Sequence, residues 1–175
     1  AKYISTSNCI VKKLITYYLH YTCINTFYIS MKTKILDCTL RDGGYYTNWD
    51  FSSEVVKTYI ETTNKLPVDY LEIGYRNKPT KEYMGKFGYT PVSILKKLRK
   101  SSNKKLAVML NEKSTLPEDL DELLTPIKGL ADMVRLAVDP KNFERAVVLA
   151  KAVKAMGFEV AFNTMYMSKW HDYEG

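Results

Sequence analysis

The sequence of 175 residues has few of the features that mark several common classes of protein. Its three cysteines, Cys9, Cys23 and Cys38, form no close pair and no zinc-type spacing, and with no clear secretory signal they favour a reducing cytoplasm. Its two histidines, His20 and His171, lie far apart, so the chain contains no His-x-His pair of metal ligands. No apolar run approaches the length of a membrane span, and no G-x-G-x-x-G or G-x-x-x-x-G-K motif indicates a nucleotide fold. We therefore expect a cytoplasmic protein with no membrane partner.

The net charge of +7 is unevenly distributed. Residues 1–30 contain three lysines and no acid, glycine or proline, and they show no sustained helical or strand period. We interpret residues 1–30 as an upstream extension, non-native or disordered, with a genuine N-terminal arm as the alternative, and residues 31–175 as the folded domain. A second basic group, from Lys96 to Lys105, lies where a predicted helix ends. Cations there complement the helix dipole, so we expect no nucleic-acid partner.

Strand and helix patterns alternate from Met31 onward. Capping residues and prolines mark the predicted helices. One helix runs from about Ser52 to Asn64, and the others begin near Thr90-Pro91, at a capping box from Thr115 to Glu118, and at Asp139-Pro140. The predicted strands are Lys34–Leu40, Tyr70–Tyr75, Lys105–Asn111, Asp132–Val138 and Glu159–Thr164. Five strands separated by four helices predict an α/β fold with a parallel sheet, which is either curled into a barrel or doubly wound.

Charged side chains occur inside these apolar strands. Successive strand residues point to opposite faces, so Leu36, Cys38 and Leu40 are expected to pack beneath helices while the residues between them face the other way. In the second strand the same alternation places Tyr70, Glu72 and Gly74 on one face. The face predicted to be polar collects Asp37, Thr39, Arg41, Glu72, Arg135 and Asn163. Buried charges persist only when they are paired or hydrogen-bonded, so this convergence predicts a site.

Each of these residues also has a simpler interpretation. An Asp-Gly pair after a strand is commonly only a turn, and Gly43-Gly44 would let the chain turn sharply. Glu72 and Arg135 could form a structural ion pair. In a barrel of alternating strands and helices, however, the chemistry lies at the carboxyl ends of the strands, where Arg41, Asp42 and Asn163 are expected.

The motif Thr39-Leu40-Arg41-Asp42-Gly43 resembles the signature of the DRE-TIM metallolyases. This superfamily of (β/α)8 TIM barrels is also called HMGL-like and includes 4-hydroxy-2-oxovalerate aldolases and the isopropylmalate and homocitrate synthases. Leu71-Glu72-Ile73-Gly74 is similar to the second strand of the family, and Met165-Tyr166-Met167-Ser168 to the end of its fifth strand. The resemblance covers about Lys34 to Trp170 and implies a TIM barrel truncated to about its first five strands and four helices.

The resemblance implies a role for each site residue. Asp42 would bind a divalent metal, Mn²⁺ or Mg²⁺, and Arg41 would stabilise the oxygen of a pyruvate enolate. Glu72 would support the metal shell or orient its waters. Tyr45 lies where the oxovalerate aldolases place a histidine base, and it could serve only with a lowered pKa or through water. The remaining members of the polar face, Thr39, Arg135 and Asn163, would contact a small 2-oxo acid substrate.

The resemblance therefore implies a metal-dependent aldolase that cleaves or forms a carbon–carbon bond next to a 2-oxo acid. A Claisen-type acyl-CoA acyltransferase and a non-catalytic domain that binds a small acid are the alternatives. A complete barrel needs about 200 residues or more, and the family's other two metal ligands form a His-x-His that is absent here. We expect the chain to be the N-terminal part of a longer enzyme, inactive alone and prone to self-association through an exposed sheet edge.

Overall fold

The computed structural model describes residues 33–172. These residues form one parallel sheet whose five strands lie side by side in the order in which they occur along the chain. The predictions for residues 1–30 lie outside the described residues. The strands are β1 (Leu36–Asp37), β2 (Tyr70–Tyr75), β3 (Lys105–Asn111), β4 (Met133–Val138) and β5 (Glu159–Thr164).

Helices connect the strands, and several connections include short 3₁₀ turns. The α-helices are α1 (Thr39–Thr47), α2 (Ser53–Thr63), α3 (Lys86–Tyr89), α4 (Val92–Ser101), α5 (Leu120–Leu124) and α6 (Phe143–Ala155). The predicted start of α2 is confirmed, because the Ser52 side chain accepts a hydrogen bond from the backbone N–H of Val55 at 3.2 Å. The predicted capping box is wrong by one residue: Asp119, not Glu118, accepts the backbone N–H bond, from Leu116 at 3.0 Å.

The order of the strands distinguishes between the two predicted architectures. A doubly wound sheet reverses its strand order at a switch point, whereas a barrel adds each new strand next to the previous one. Here the order runs from β1 to β5 without a reversal. The chain therefore forms a curled α/β half-barrel, as expected of a truncated TIM-barrel-like domain.

The main core lies between the sheet and the outer helices. The central strands β2, β3 and β4 are almost entirely buried, and each contributes one row of aliphatic side chains to this core. From the helices come Val56, Ile60, Leu95, Leu98, Leu149 and Val153, all buried. Burial of each large apolar side chain contributes about 1.5–3 kcal/mol to the free energy of unfolding, so this layer is the main source of stability. No helix within residues 33–172 is long and apolar enough to cross a membrane.

The first strand is much shorter than predicted. β1 ends at Asp37, and α1 begins two residues later, so the prediction of a strand from Lys34 to Leu40 is wrong. The carboxylate of Asp37 accepts a hydrogen bond from the backbone N–H of Thr39 at 2.9 Å. This local bond turns the chain out of the sheet, as aspartate side chains often do two residues ahead of themselves. The Arg-Asp-Gly-Gly motif is therefore helical, and Gly43-Gly44 lie within the helix and form no turn.

A β-bulge in β2 changes the predicted alternation of faces. The pairing of β2 with β3 shifts register between Glu72 and Gly74, so one extra residue is accommodated there. Gly74 then faces α3, where an added Cβ would lie 1.9 Å from the carbonyl oxygen of Phe87. Tyr75 points to the opposite side of the sheet, where it packs with Met109 of β3. The prediction that Gly74 shares a face with Glu72 is therefore wrong.

Candidate active site

Four of the predicted site residues form one continuous hydrogen-bonded chain across the inner face of the sheet. Glu72 on β2 accepts a bond from Arg41 Nε at 2.8 Å, and its two carboxylate oxygens accept from Arg135 Nη1 at 3.2 and 3.1 Å. Arg135 on β4 donates through Nη2 to Asn163 Oδ1 on β5 at 2.6 Å. The chain links β2, β4 and β5 to the first turn of α1. The charged residues on the inner face of β2 and β4, Glu72 and Arg135, are therefore paired with each other.

Glu72 is the centre of this chain. Its side chain is 0% exposed, and the side chains of Arg41 and Arg135, which contact it, are 8% and 18% exposed. Burial alone would lower the pKa of the Arg41 guanidinium, but the hydrogen bond and the negative charge of Glu72 outweigh it and raise that pKa. Arg41 therefore stays charged. Glu72 offsets the charge of one of its two arginines, and the carboxylate of Asp42 pairs with Arg41 as well.

Asp42 lies next to this chain but points to a more open region. Its side chain is 52% exposed and forms an ion pair with Arg41 Nη1. Its second oxygen accepts a hydrogen bond from the Cys38 thiol at 3.0 Å. Burial, followed by this bond to Asp42, raises the pKa of Cys38 to about 11, so the residue is a neutral thiol at ordinary pH.

The residues that the structure describes do not form a complete metal site. An exposed carboxylate such as that of Asp42 is a suitable ligand for a hard cation. Within residues 33–172, however, no three side chains of His, Cys, Asp or Glu lie close enough together to hold a metal ion. Glu72 directs both of its oxygens at arginines, so in this arrangement it positions guanidinium groups.

Tyr45 belongs to an aromatic cluster beside Arg41. The residue is 61% exposed, and its hydroxyl lies 2.7 Å from the hydroxyl of Tyr75. The ring of Trp49 packs edge-on against both, with centroid distances of 4.7 Å to Tyr45 and 5.8 Å to Tyr75. The Arg41 guanidinium carbon lies 6.0 Å from the centroid of the Tyr75 ring. Burial and the bond to Tyr45 raise the pKa of Tyr75, so Tyr75 remains a neutral phenol.

Two residues of the predicted polar face lie outside the chain of hydrogen bonds. Thr39 is the first residue of α1 and is exposed. Asp37 instead accepts a 2.6 Å hydrogen bond from the hydroxyl of Tyr59 on α2, in addition to its bond to Thr39. The structure thus brings Arg41, Glu72, Arg135 and Asn163 together and places Asp42 and Tyr45 next to them.

The chain is similar in sequence and in fold to a solved structure. A solved structure described as the "N-terminal domain of a putative aldolase from Bacteroides vulgatus" is 71% identical in sequence, with a TM-score of 0.80. The match covers 82% of this chain and 48% of that one, so the chain spans about half the length of its neighbour. No protein-family model matches the chain, and no curated protein matches it. The half-barrel fold is therefore shared with a domain of a longer protein.

Sequence reasoning missed two residues of the site. Strict alternation from Glu72 assigns Tyr75 to the helix side of the sheet, whereas the bulge turns it to the inner face. A glycine inside a strand often marks a bulge, so Gly74 was a usable signal. Trp49 follows the motif by five residues, and nothing in its sequence position indicates that its indole N–H returns to the carbonyl of Arg41.

Proposed function

We propose that this chain is the N-terminal part of an aldolase that uses a divalent metal to cleave or form a carbon–carbon bond next to a 2-oxo acid. The observation that carries the proposal is the hydrogen-bonded chain of Arg41, Glu72, Arg135 and Asn163 beside the exposed carboxylate of Asp42. The similarity to a domain described as part of an aldolase supports the same conclusion.

Arg41 is the residue best placed to stabilise an enolate. Cleavage of the bond beside a ketone transfers negative charge to the ketone oxygen, and fixed donors aimed at that oxygen lower the barrier. Glu72 holds the Arg41 guanidinium through Nε, so the group needs little reorganisation when charge develops. Arg135 is held in the same way by Glu72 and Asn163, and we assign it to the carboxylate of the 2-oxo acid.

Asp42 would supply one carboxylate ligand to Mn²⁺ or Mg²⁺. A bound metal would supply Lewis-acid polarisation of the 2-oxo group. The further ligands would come from the part of the enzyme that lies beyond this chain, so we expect the 175-residue polypeptide alone to bind metal weakly and to produce no turnover. Tyr45 is the candidate for proton transfer, because the residue is exposed and its hydroxyl is hydrogen-bonded to the neutral phenol of Tyr75.

The test is pyruvate release from a 4-hydroxy-2-oxo acid by the full-length enzyme with Mn²⁺, followed by coupled reduction of the pyruvate. We expect Arg41→Lys to lower kcat about 10²- to 10³-fold, the usual effect of removing one donor to a developing oxyanion. Asp42→Asn should weaken Mn²⁺ binding in a calorimetric titration. The matched control is Arg145→Lys, because Arg145 also pairs with a buried glutamate, Glu112, outside the site. That variant should retain activity within about twofold.

Other outcomes would change the assignment. Release of free CoA from an acyl-CoA, with no pyruvate from any hydroxy-oxo acid, would favour the acyltransferase alternative. Undiminished binding of pyruvate by an Asp42→Asn variant, with no turnover by the parent enzyme, would favour a binding domain. Full activity of the Arg41→Lys variant would contradict the role given to Arg41.

A further inference from the structure

Trp49 is attached to the helix that carries the Arg-Asp-Gly-Gly motif at two points. Its backbone N–H donates to the carbonyl of Gly44, and its indole Nε1–H donates to the carbonyl of Arg41, both at 2.9 Å. To reach them the chain adopts positive φ angles at two successive residues, Asn48 at 51° and Trp49 at 56°. This backbone conformation is unfavourable for a bulky residue and persists only where other contacts stabilise it.

Two glycines leave the space that Trp49 occupies. A Cβ added to Gly44 would lie 2.0–2.4 Å from three atoms of the indole, so only glycine leaves room for the ring. On the other side, a Cβ added to Gly85 would lie 2.3 Å from the Trp49 carbonyl oxygen. The indole is thus confined between the motif helix and the chain before α3, with Tyr45 and Tyr75 packed against it.

The helix that Trp49 contacts has little stability of its own. α1 has nine residues, two of which are adjacent glycines, and each interior glycine costs about 1 kcal/mol relative to alanine. Cys38, at its N-cap position, makes no capping hydrogen bond through its side chain. The indole N–H of Trp49 gives the carbonyl of Arg41 a donor from outside the helix. This carbonyl lies in the turn of α1 from which the Arg41 guanidinium reaches Glu72.

We propose that Trp49 is a positioning residue that holds Arg41 in place through this carbonyl bond. The structural part of the inference stands on the contacts of Trp49 alone, whereas its consequence for catalysis rests on the proposed function. Without the indole N–H, the first turn of α1 loosens, and the guanidinium samples positions away from Glu72. The second glycine of the motif is then required because it admits the indole.

The test compares Trp49→Phe with Trp170→Phe by NMR of the 175-residue chain. Trp170 is a matched control because its indole also donates to a carbonyl, that of Met165 at 2.8 Å. The readout is exchange of the Arg41 Nε–H with solvent, and the Nε–H of Arg145, which is bonded to Glu112, serves as an internal reference. We expect Trp49→Phe to accelerate exchange at Arg41 about tenfold, the factor that one ordinary hydrogen bond supplies, and to leave Arg145 unchanged. Trp170→Phe should change neither.

Unchanged Arg41 exchange in a folded Trp49→Phe variant would overturn the proposal. If that variant does not fold, the parent chain still provides a test, because the bond predicts a scalar coupling between Trp49 ¹⁵Nε1 and the Arg41 carbonyl carbon. Absence of that coupling would also overturn it. In the full-length enzyme, Trp49→Phe should lower kcat about ten- to a hundredfold with KM within about twofold, since a small misplacement of a catalytic group has effects of this size. An enzyme that is not an aldolase would fail the activity assay while the exchange result stands.

Discussion

The two glycines of the motif should respond in opposite ways to alanine. Gly43 and Gly44 are adjacent residues of the same helix, and neither has a positive φ angle, so their backbones tolerate alanine equally. Their surroundings differ. A Cβ on Gly43 would lie 3.8 Å from Phe51, an ordinary contact, whereas one on Gly44 would lie 2.0 Å from Trp49 Cδ1.

The distances give the size of each effect. Carbon atoms pack at about 3.5–4.0 Å, so the indole of Trp49 must retreat by about 1.5 Å from an alanine at position 44. Overpacking of this kind costs about 1–3 kcal/mol, and loss of the bond to the Arg41 carbonyl costs about 1 kcal/mol more. At either position, alanine favours the helix by about 1 kcal/mol relative to glycine. We expect Gly44→Ala to destabilise the chain by about 1–3 kcal/mol and Gly43→Ala to stabilise it by about 0.5–1 kcal/mol.

Urea unfolding of the 175-residue chain, followed by circular dichroism, measures both free energies of unfolding. A double-mutant cycle then assigns the cause. With Trp49 replaced by alanine, the clash is absent, and Gly44→Ala should become neutral or stabilising. Equal stability of the two glycine variants, or an effect of Gly44→Ala that survives removal of the indole, would refute the reasoning.

Three further predictions concern the buried charge, the bulge and the response to pH. Glu72→Gln should lower the free energy of unfolding by about 3–5 kcal/mol because it removes the fully buried carboxylate that both Arg41 and Arg135 contact. The exposed Glu61→Gln should change that free energy by less than about 0.5 kcal/mol, and urea unfolding measures both. Gly74→Ala should leave little or no folded chain in the amide NMR spectrum, because its Cβ would overlap the backbone carbonyl of Phe87, and a native spectrum would contradict the assigned bulge. Burial and the bond to Asp37 raise the pKa of Tyr59, so the native state holds this proton more tightly than the unfolded chain. Its stabilising contribution is complete below about pH 10 and is lost as the pH rises further, so the free energy of unfolding should fall above pH 10, and Tyr59→Phe should make that fall less steep.

The strands after the first were largely predictable from the sequence. The bounds of β2, β3 and β5 agree with the predicted strands residue for residue, and β4 differs by one residue at its start. Their apolar side chains recur with the period of a strand, and this signal depends on neighbouring residues only. Glu72 and Arg135 were also predictable as site residues, because each is a charged residue within an apolar strand. A buried charge without a partner is too costly to be retained.

The first strand and the bulge were not predictable in this way. The alternation of Leu36 to Arg41 is that of a strand, but the side chain of Asp37 bonds the backbone of Thr39 and starts a helix instead. In β2 an extra residue is accommodated because α3 approaches the backbone at Gly74. Both outcomes depend on a contact that competes with the local pattern, and a pattern alone does not show which will win.

By itself, the sequence determined the class of fold, the positions of the strands after the first, and the residue types available to the candidate site. Those follow from periodicity and from the cost of burying charge, which act over a few residues. The tertiary structure alone decided that Arg41 reaches Glu72 from a helix, that Tyr75 turns inward, and that Trp49 closes over Gly44. These depend on distances between segments far apart along the chain, and packing sets such distances only after the sheet and its helices have come together.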